Sequence, residues 1–296
     1  MAALRSLVWA AAVGATSAAC GGSNHSVGSI AVQSDRDGDA EIFVLDRDGG
    51  APLQLTDNDV FDGNPDWSPD GSRLVFTSGN RDAGLEIYVM NADGSGTVQL
   101  TDDDVDNGAA DWSPDGTRIV FDGFDAEGVL QVYTMAVDAP DATTTQLTTG
   151  AANGKPVWSP DGERIAFLSL RDGQREIYVM AADGSEQVNL TNDASFDALA
   201  AWSTDGTRIA FVSDRSGDRE IYTMASDGSD VVRLTNDPGE DSNPSWALDD
   251  TDIMFTSDRG GNVDVYAMAR DGSDVRNLTQ NPAFDFVPDW TPATNE

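Results

Sequence analysis

The sequence predicts an all-β fold, a six-bladed β-propeller built from four-stranded blades. Three observations support this prediction: a repeat of 44 to 46 residues, strand-like alternation of apolar residues within each repeat, and Asp-Gly pairs between the strands. A four-stranded repeat of this length is typical of a propeller blade. Six of the seven tryptophans mark the repeat, at spacings of 45, 46, 44, 44 and 44 residues: Trp67, Trp112, Trp158, Trp202, Trp246 and Trp290.

Each repeat contains four short strands, here labelled A to D. Strand A ends at the repeat tryptophan, as in PVWSPDG from Pro156. Strand B is typified by RIAFLS, Arg164 to Ser169, and strand C by EIYVM, Glu176 to Met180. Strand D, Val188 to Thr191, ends on the Leu-Thr pair that closes every repeat. Asp-Gly pairs between A and B and between C and D indicate tight hairpins.

The two ends of the repeat region predict how the ring closes. The first repeat starts at Ser29 with strand B, SIAVQS, and the missing strand A lies in VPDWTP, Val287 to Pro292. We therefore expect the N-terminal strands and the C-terminal strand to form one blade together. Closure of the ring protects strand edges that an open array would expose.

A short segment precedes the repeats. Residues 1–19 carry one charge, Arg5, followed by an apolar run and small residues, which is the pattern of a secretory signal peptide too short to span a bilayer permanently. The segment resembles a bacterial lipoprotein signal, so we expect Cys20 to be lipidated and residues 20–28 to form a flexible tether. An ordinary cleaved signal is the alternative. Residues 29–296 then form the propeller, exported to the periplasm or the cell surface.

Composition excludes several classes of function. The 296 residues include 52 Asp plus Glu against 17 Lys plus Arg, and the formal net charge is −35. Such a polyanion does not neutralise phosphates, so nucleic acid is not expected as a partner. The chain has one histidine, His25, and one cysteine, Cys20. A disulfide within the fold, a histidine zinc site, a Ser-His-Asp triad and a cysteine nucleophile are therefore excluded.

The recurring motifs W-S-P-D-G, I-A-F, S-D-R, E-I-Y-V-M, D-G-S and L-T resemble the propeller repeat of the TolB-like family, over about nine tenths of the chain. The resemblance implies a six-bladed propeller and favours a binding protein of the cell envelope. The same repeat occurs in propeller domains of some peptidases and polysaccharide lyases, so it specifies function only by analogy of fold. The α/β domain that precedes the propeller in TolB has no counterpart between Cys20 and the first blade.

The face formed by the D–A and B–C loops is the candidate binding face. Its loops are longer and more varied than the Asp-Gly hairpins on the other face, and binding sites usually lie on such loops. Each repeat has an Asp or Asn five residues before its tryptophan, expected at the mouth of a central channel. These oxygens suit calcium, but turn bracing is the favoured interpretation because every blade has one. The six residues are Asp62, Asn107, Asn153, Asp197, Asp241 and Asp285.

A set of arginines after strand B supports the bracing interpretation. We predict that each pairs with the Asp or Asn of its own blade; the blade of Trp112 has Phe124 nearby and no arginine. The arginines are Arg36, Arg81, Arg171, Arg215 and Arg259. In the loop that contains Arg36, the alternating Asp35, Asp37 and Asp39 are reminiscent of a calcium loop, but they lack its glycine and closing glutamate, so turn capping is favoured.

Function in a repeat protein is expected where the symmetry breaks. Lys155, the only lysine, either anchors a carboxylate of a partner or relieves repulsion within an acidic rim. Phe124 lies in an apolar B–C loop with Val129 and Leu130 and is a candidate contact. Lys155 belongs to a set three residues before each tryptophan that is expected to line the channel mouth: Asn64, Ala109, Lys155, Leu199, Asn243 and Val287.

Two classes of function follow. The favoured one is a non-catalytic envelope protein that binds a protein, a peptide or a glycan on the D–A/B–C face; it is expected to be monomeric, to need no cofactor and to meet the membrane only through its lipid. The other is a glycan-active enzyme, or a glycan- or calcium-binding propeller, that uses carboxylates at the channel mouth. An enzyme needs a paired acid and nucleophile at a defined separation, and no such pair stands out from the repeat pattern.

Overall fold

A computed structural model describes residues 29–46, 51–80, 84–103, 105–138 and 144–291. These residues form six four-stranded antiparallel sheets arranged as blades, and they contain no helix. Accordingly, this part of the chain has no helix long and apolar enough to cross a membrane. The predicted all-β propeller is confirmed. The predicted signal peptide and tether, with Cys20 and His25, lie outside the described residues, as does Arg81.

The strands of blade 1 are β24 Asp285–Trp290, β1 Ile30–Ser34, β2 Glu41–Leu45 and β3 Leu53–Gln54; of blade 2, β4 Phe61–Trp67, β5 Arg73–Asn80, β6 Gly84–Asn91 and β7 Val98–Gln99; of blade 3, β8 Asn107–Trp112, β9 Arg118–Phe124, β10 Leu130–Ala136 and β11 Thr145–Gln146. Those of blade 4 are β12 Asn153–Trp158, β13 Arg164–Ser169, β14 Glu176–Ala181 and β15 Val188–Asn189; of blade 5, β16 Asp197–Trp202, β17 Arg208–Ser213, β18 Glu220–Ala225 and β19 Val232–Arg233; of blade 6, β20 Asp241–Trp246, β21 Asp252–Ser257, β22 Asp264–Ala269 and β23 Arg276–Asn277.

The ring closes in blade 1, as predicted. The strand order there is β24-β1-β2-β3, so the last strand of the chain is strand A of the first blade. The register pairs Ile30 with Trp290 and Ser34 with Asp285. Beyond the strand, the Thr291 N–H donates to the Ser29 carbonyl at 2.9 Å. Closure therefore joins the two ends of the repeat region by backbone hydrogen bonds.

The hydrophobic core lies between neighbouring blades. Trp112 of blade 3 packs in one buried cluster with Val75 and Ile87 of blade 2, and the Arg73 guanidinium lies 4.8 Å from the centre of its ring. The same arrangement recurs around the ring, because alternate residues of strands B and C face opposite neighbours. The largest fully buried side chains include one phenylalanine from strand B in five of the blades: Phe76, Phe121, Phe167, Phe211 and Phe255.

The Asp-Gly turns explain much of the aspartate excess. In the A–B turn of blade 3, Asp115 Oδ1 accepts hydrogen bonds from the Ser113 hydroxyl at 2.6 Å and from the Thr117 N–H at 3.0 Å. Gly116 follows with a φ of 68°, a conformation that glycine adopts without strain. These hydrogen bonds lower the pKa of Asp115 to about 2. Equivalent aspartates occupy three other A–B turns: Asp70, Asp161 and Asp205.

Every strand A contains a β-bulge three residues before the tryptophan. The pairing register of strand A with strand B shifts there in all six blades. The bulged residue has a left-handed backbone in each case, with φ between 46° and 56°. This conformation costs roughly 1–2 kcal/mol for a residue other than glycine, and asparagine tolerates it best. The bulged residues are Asn64, Ala109, Lys155, Leu199, Asn243 and Val287.

A pair of substitutions at Val287 tests this strain. In an ordinary strand, glycine is less stable than alanine by about 0.5–1 kcal/mol. At Val287, where φ is 46°, we expect the reverse: Val287→Gly should be more stable than Val287→Ala by about 1 kcal/mol, since both remove the side chain and only glycine relieves the backbone. Urea unfolding at equilibrium measures the difference. As a matched control, Val157→Gly should be less stable than Val157→Ala; the same order at both positions would contradict the prediction.

Candidate functional site

The candidate site is the central channel, a cavity of about 310 Å³ lined by strand A of all six blades. All six bulged residues, which the sequence placed at the channel mouth, line this cavity. Lys155 is exposed, whereas Asn64 and Asn243 are half-buried. The bulge turns these side chains out of the regular strand alternation and into the channel wall. The channel is therefore lined by the residues that differ most from blade to blade.

A second ring of residues, directly before each tryptophan, divides the channel wall into unlike halves. Three neighbouring blades supply Asp289, Asp66 and Asp111, and the other three supply Val157, Ala201 and Ser245. Each of these three carboxylates accepts the backbone N–H of the tryptophan in the following blade: Trp67 to Asp289 at 2.9 Å, Trp112 to Asp66 at 2.9 Å, and Trp158 to Asp111 at 2.7 Å.

Sequence reasoning missed these three carboxylates. The signal was present in the alternation of PDW and ADW with PVW, AAW and PSW before the repeat tryptophans. It is a departure from the repeat in three consecutive blades, counting blade 1 through its C-terminal strand. Because the aspartates were considered as part of a general acidic background, this local break in symmetry was not recognised.

The channel carboxylates have raised pKa values. Burial raises the pKa of Asp111 to about 8, and the charge of Asp289 adds to the effect. Burial raises the pKa of Asp289 to about 6, although the Trp67 N–H opposes the shift. The pKa of Asp66 also lies well above its usual value, through burial first and then repulsion from Asp111 and Asp289. The acidic half of the wall thus retains protons at a pH where isolated aspartates are ionised.

The Asp and Asn residues five positions before each tryptophan are buried, with at most 4% of each exposed. Arginines of the same blade bond to four of them, and these four predicted pairs are confirmed; the arginine expected for Asp62, Arg81, is outside the described residues. In blade 3, which has no such arginine, the Asn107 amide donates instead to Asp103 at 2.9 Å. The four pairs are Arg36–Asp285 at 2.8 Å, Arg171–Asn153 at 3.1 Å, Arg215–Asp197 at 3.0 Å and Arg259–Asp241 at 2.7 Å.

The structure brings together the two symmetry breaks that the sequence singled out. Phe124 is 39% exposed and pairs across strands β9 and β10 with Leu130. Leu130 packs so closely on Gly154 that a Cβ there would lie 2.8 Å from its Cδ2. Lys155 follows, and its N–H donates to Asp122 Oδ2 at 2.8 Å. We call Phe124, Leu130 and Lys155 the rim patch.

Asp122 lies beneath the rim patch and influences its charge. It is 7% exposed, and burial raises its pKa although the neighbouring Lys155 lowers it in part. Because Asp122 keeps a proton more readily than a surface aspartate, it neutralises Lys155 less completely than an ordinary ion pair would. The rim patch therefore combines an exposed aromatic ring with an accessible ammonium group.

The raised pKa of Asp111 predicts a pH-dependent stability. Because about 8 in the folded protein lies above the usual 3.8, the folded state binds more protons than the unfolded chain, and stability increases as the pH falls from 8 towards 4. Asp111→Asn keeps an oxygen for the Trp158 N–H but removes this titration. We expect its melting temperature to exceed that of the wild type at pH 8, with a gap that shrinks towards pH 5.

Asp115→Asn is the matched control for this measurement. The pKa of Asp115 lies below its usual value, so its stabilising effect is complete above pH 4 and disappears as the pH falls towards 2. The two variants should therefore change stability with opposite sign at neutral pH. An Asp111→Asn gap that stays constant from pH 5 to pH 9 would contradict the assignment.

Solved structures with similar folds include binding proteins and an enzyme. TolB from Acinetobacter baumannii matches with a TM-score of 0.80 and 24% identity, over 90% of this chain and 67% of that chain. A putative TolB from Agrobacterium tumefaciens matches with a TM-score of 0.69 and 21% identity, over 90% of this chain and 99% of that chain. Oligogalacturonate lyase from Vibrio parahaemolyticus matches with a TM-score of 0.58 and 17% identity, over 83% of this chain and 73% of that chain. At these identities the likeness concerns the fold.

Sequence comparison identifies the family. No curated protein matches the chain. The family model of the TolB β-propeller domain matches residues 145–235 and 218–296, which together cover half of the chain. The matched region contains blades 4 to 6 and the C-terminal strand that closes blade 1. The chain belongs to the TolB β-propeller domain family.

Proposed function

We propose that this protein is a non-catalytic binding protein of the cell envelope, which holds a segment of a partner protein at the mouth of its central channel, on the D–A/B–C loop face. The observation that supports this proposal most is the division of the channel wall into an acidic half and a largely apolar half. Membership of the TolB family and the similarity to TolB structures support a binding role over a catalytic one.

The division of the wall favours an oriented peptide ligand. A scaffold with perfect six-fold repetition offers the same contact six times and cannot distinguish one orientation from another. Here Asp66, Asp111 and Asp289 lie on one side, and Val157 and Ala201 on the other. A segment with a basic group on one side and an apolar side chain on the other complements both halves, and such complementarity fixes orientation. A cavity of about 310 Å³ admits a few side chains, so the ligand is a loop or a chain end.

The rim patch supplies a second contact beside the channel. Its exposed Phe124 ring provides apolar area, and the Lys155 ammonium binds a carboxylate. Aromatic residues beside a charged group are frequent among the residues that dominate binding energy. This arrangement assigns Lys155 the role of an anchor. A protein partner is favoured over a glycan because the rim combines apolar and cationic groups.

We propose an exported, monomeric protein that is anchored through Cys20. This part of the proposal rests on the sequence of residues 1–28 and on the periplasmic location of TolB. The net charge of −35 keeps such a domain soluble and holds it away from anionic surfaces. Its only connection to the membrane is then the lipid.

A glycan-active enzyme is the second candidate. The observation in its favour is that carboxyls with raised pKa values line the same cavity, because a general acid at neutral pH needs such a pKa. Asp111 and Asp66 are the residues that would carry the reaction. The observation against it is that each accepts a tryptophan N–H of the next blade, which assigns them a role in joining blades. Calcium at the Asp and Asn ring has less support, since arginines already neutralise it.

The rim patch tests the binding proposal. We expect Lys155→Glu and Phe124→Ser each to reduce capture of the partner at least tenfold, because one reverses a charge and the other removes an apolar anchor. The measurement is quantitative mass spectrometry of proteins cross-linked to the propeller in an envelope extract. Val188→Ser is the matched control, since Val188 is 57% exposed on the outer strand β15. A partner captured equally by all variants would contradict the proposed face.

A second measurement separates binding from catalysis. Wild type and the double variant Asp66→Asn/Asp111→Asn are incubated with oligogalacturonate and with peptidoglycan fragments, and the release of reducing or unsaturated ends is recorded. The binding proposal predicts no product above the blank from either protein. Product from the wild type that disappears in the double variant would replace the proposal with the enzyme.

A further inference from the structure

The B–C loop of blade 1 brings three carboxylates together away from the channel. One oxygen from each of Asp37, Asp39 and Glu41 lies within 4.8 Å of the other two. Asp37 is exposed, Asp39 half-buried and Glu41 fully buried. The Gln54 amide donates to Asp37 Oδ2; no other hydrogen bond to Asp37 or Asp39 is seen within the described ranges. Three like charges at this separation repel one another unless protons or a cation compensate them.

Other blades supply a hydrogen-bond donor where blade 1 has an acid. At the position of Glu41, blade 4 has Glu176, and Gln174 donates to it at 3.1 Å. Blade 6 has Asp264 there, and Asn262 donates to it at 3.2 Å. Gln174 and Asn262 stand two residues before the buried acid, which is the place of Asp39 in blade 1. Blade 1 therefore has an acceptor where its equivalents have a donor.

Glu41 is left with an oxygen that no donor satisfies. Its residue is 0% exposed, and its Oε1 accepts the Asn58 N–H at 2.7 Å. Its Oε2 is buried without a hydrogen-bond partner among the residues that the structure describes. Burial raises the pKa of Glu41 to about 7, and Asp62 raises it as well, against the opposing effects of Thr56 and Asn58. Buried polar atoms are rarely unsatisfied, so an unsatisfied oxygen beside two carboxylates indicates a missing positive group.

We propose that Asp37, Asp39 and Glu41 bind a divalent cation, and that this cation is Ca²⁺. Three carboxylate oxygens within 4.8 Å of one another fit around an ion with oxygen distances of about 2.3–2.6 Å. An all-oxygen donor set suits a hard cation rather than a transition metal. The exposed side of the loop leaves room for water ligands, and Ca²⁺ accepts such irregular shells whereas Mg²⁺ requires a near-ideal octahedron.

The cation would stabilise the blade that closes the ring. Glu41 begins strand β2 of blade 1, and through Asn58 it also contacts the loop that leads into blade 2. On the other side, Asp35 accepts the Phe284 N–H at 2.7 Å from the loop before the C-terminal strand. An ion at this loop therefore connects the closing blade with its neighbour.

Calcium titration of the intact protein tests the site. The full chain is freed of metal with EDTA, dialysed, and titrated with CaCl₂ in about 0.15 M KCl, which screens the diffuse attraction of ions to a net charge of −35. We expect one stoichiometric site by calorimetry and a melting temperature that rises by several degrees. MgCl₂ at the same concentration should give a clearly smaller rise. An equal response to both ions would overturn the assignment of Ca²⁺, and no stoichiometric binding would overturn the site.

Asp39→Asn is the decisive variant. It places an amide where Asn262 stands in blade 6, so we expect the metal-free variant to be more stable than the metal-free wild type and its calcium affinity to fall at least tenfold. Loss of binding then does not arise from unfolding. Asp218→Asn, at the equivalent position of blade 5, should keep the calcium response of the wild type. Asp39→Asn with wild-type affinity would overturn the proposal.

A channel variant separates this site from the acidic half of the channel. Asp66→Asn should retain the stoichiometric calcium binding of the wild type, because Asp66 lies on strand β4 at the channel and not in the B–C loop of blade 1. Loss of binding in Asp66→Asn together with its retention in Asp39→Asn would assign the ion to the channel and overturn the proposal.

Discussion

The contact between neighbouring blades is the interaction on which the rest of this structure depends. A single four-stranded blade has two apolar faces and cannot bury either alone. The repeat tryptophan packs on the preceding blade, as Trp112 does on Val75 and Ile87, and an arginine covers its ring. Six such contacts require a closed ring, because an open array would leave two faces and two edges exposed. Pairing of β24 with β1 is thus a consequence of how each blade is stabilised.

Closure also creates the channel. Six copies of strand A are held side by side around one axis, and the bulge in each turns a residue into the shared wall. The backbone strain at the bulge is repeated six times, so the blade geometry imposes it whether the side chain is Asn64 or Val287. Variation at the bulge and at the residue before the tryptophan therefore alters the channel without altering the scaffold. This separation allows a repeat fold to acquire a specific ligand.

The sequence was sufficient for the scaffold and insufficient for the site, for a physical reason. Tryptophan spacing, Asp-Gly turns and the displaced strand A repeat with the same local chemistry, so they predict six blades and their closure. The rim patch depends on contact between blades: Phe124 and Lys155 are 31 positions apart, and Leu130 and Gly154 bring them together. The unsatisfied Glu41 oxygen depends on which neighbours face it in three dimensions. Neither contact follows from the period of the repeat.

The acidic residues of this protein fall into two electrostatic groups. Aspartates of the turns, such as Asp115, accept several hydrogen bonds and have lowered pKa values, so their charge stabilises the fold at neutral pH. Asp111 and Glu41 are buried and have raised pKa values, so their charge opposes the fold. A scaffold retains such residues only if something compensates them. For Asp111 the tryptophan N–H does so in part, and a basic group in the channel completes it. For Glu41 the amide present in blades 4 and 6 is replaced by Asp39, which leaves a cation as the compensating group.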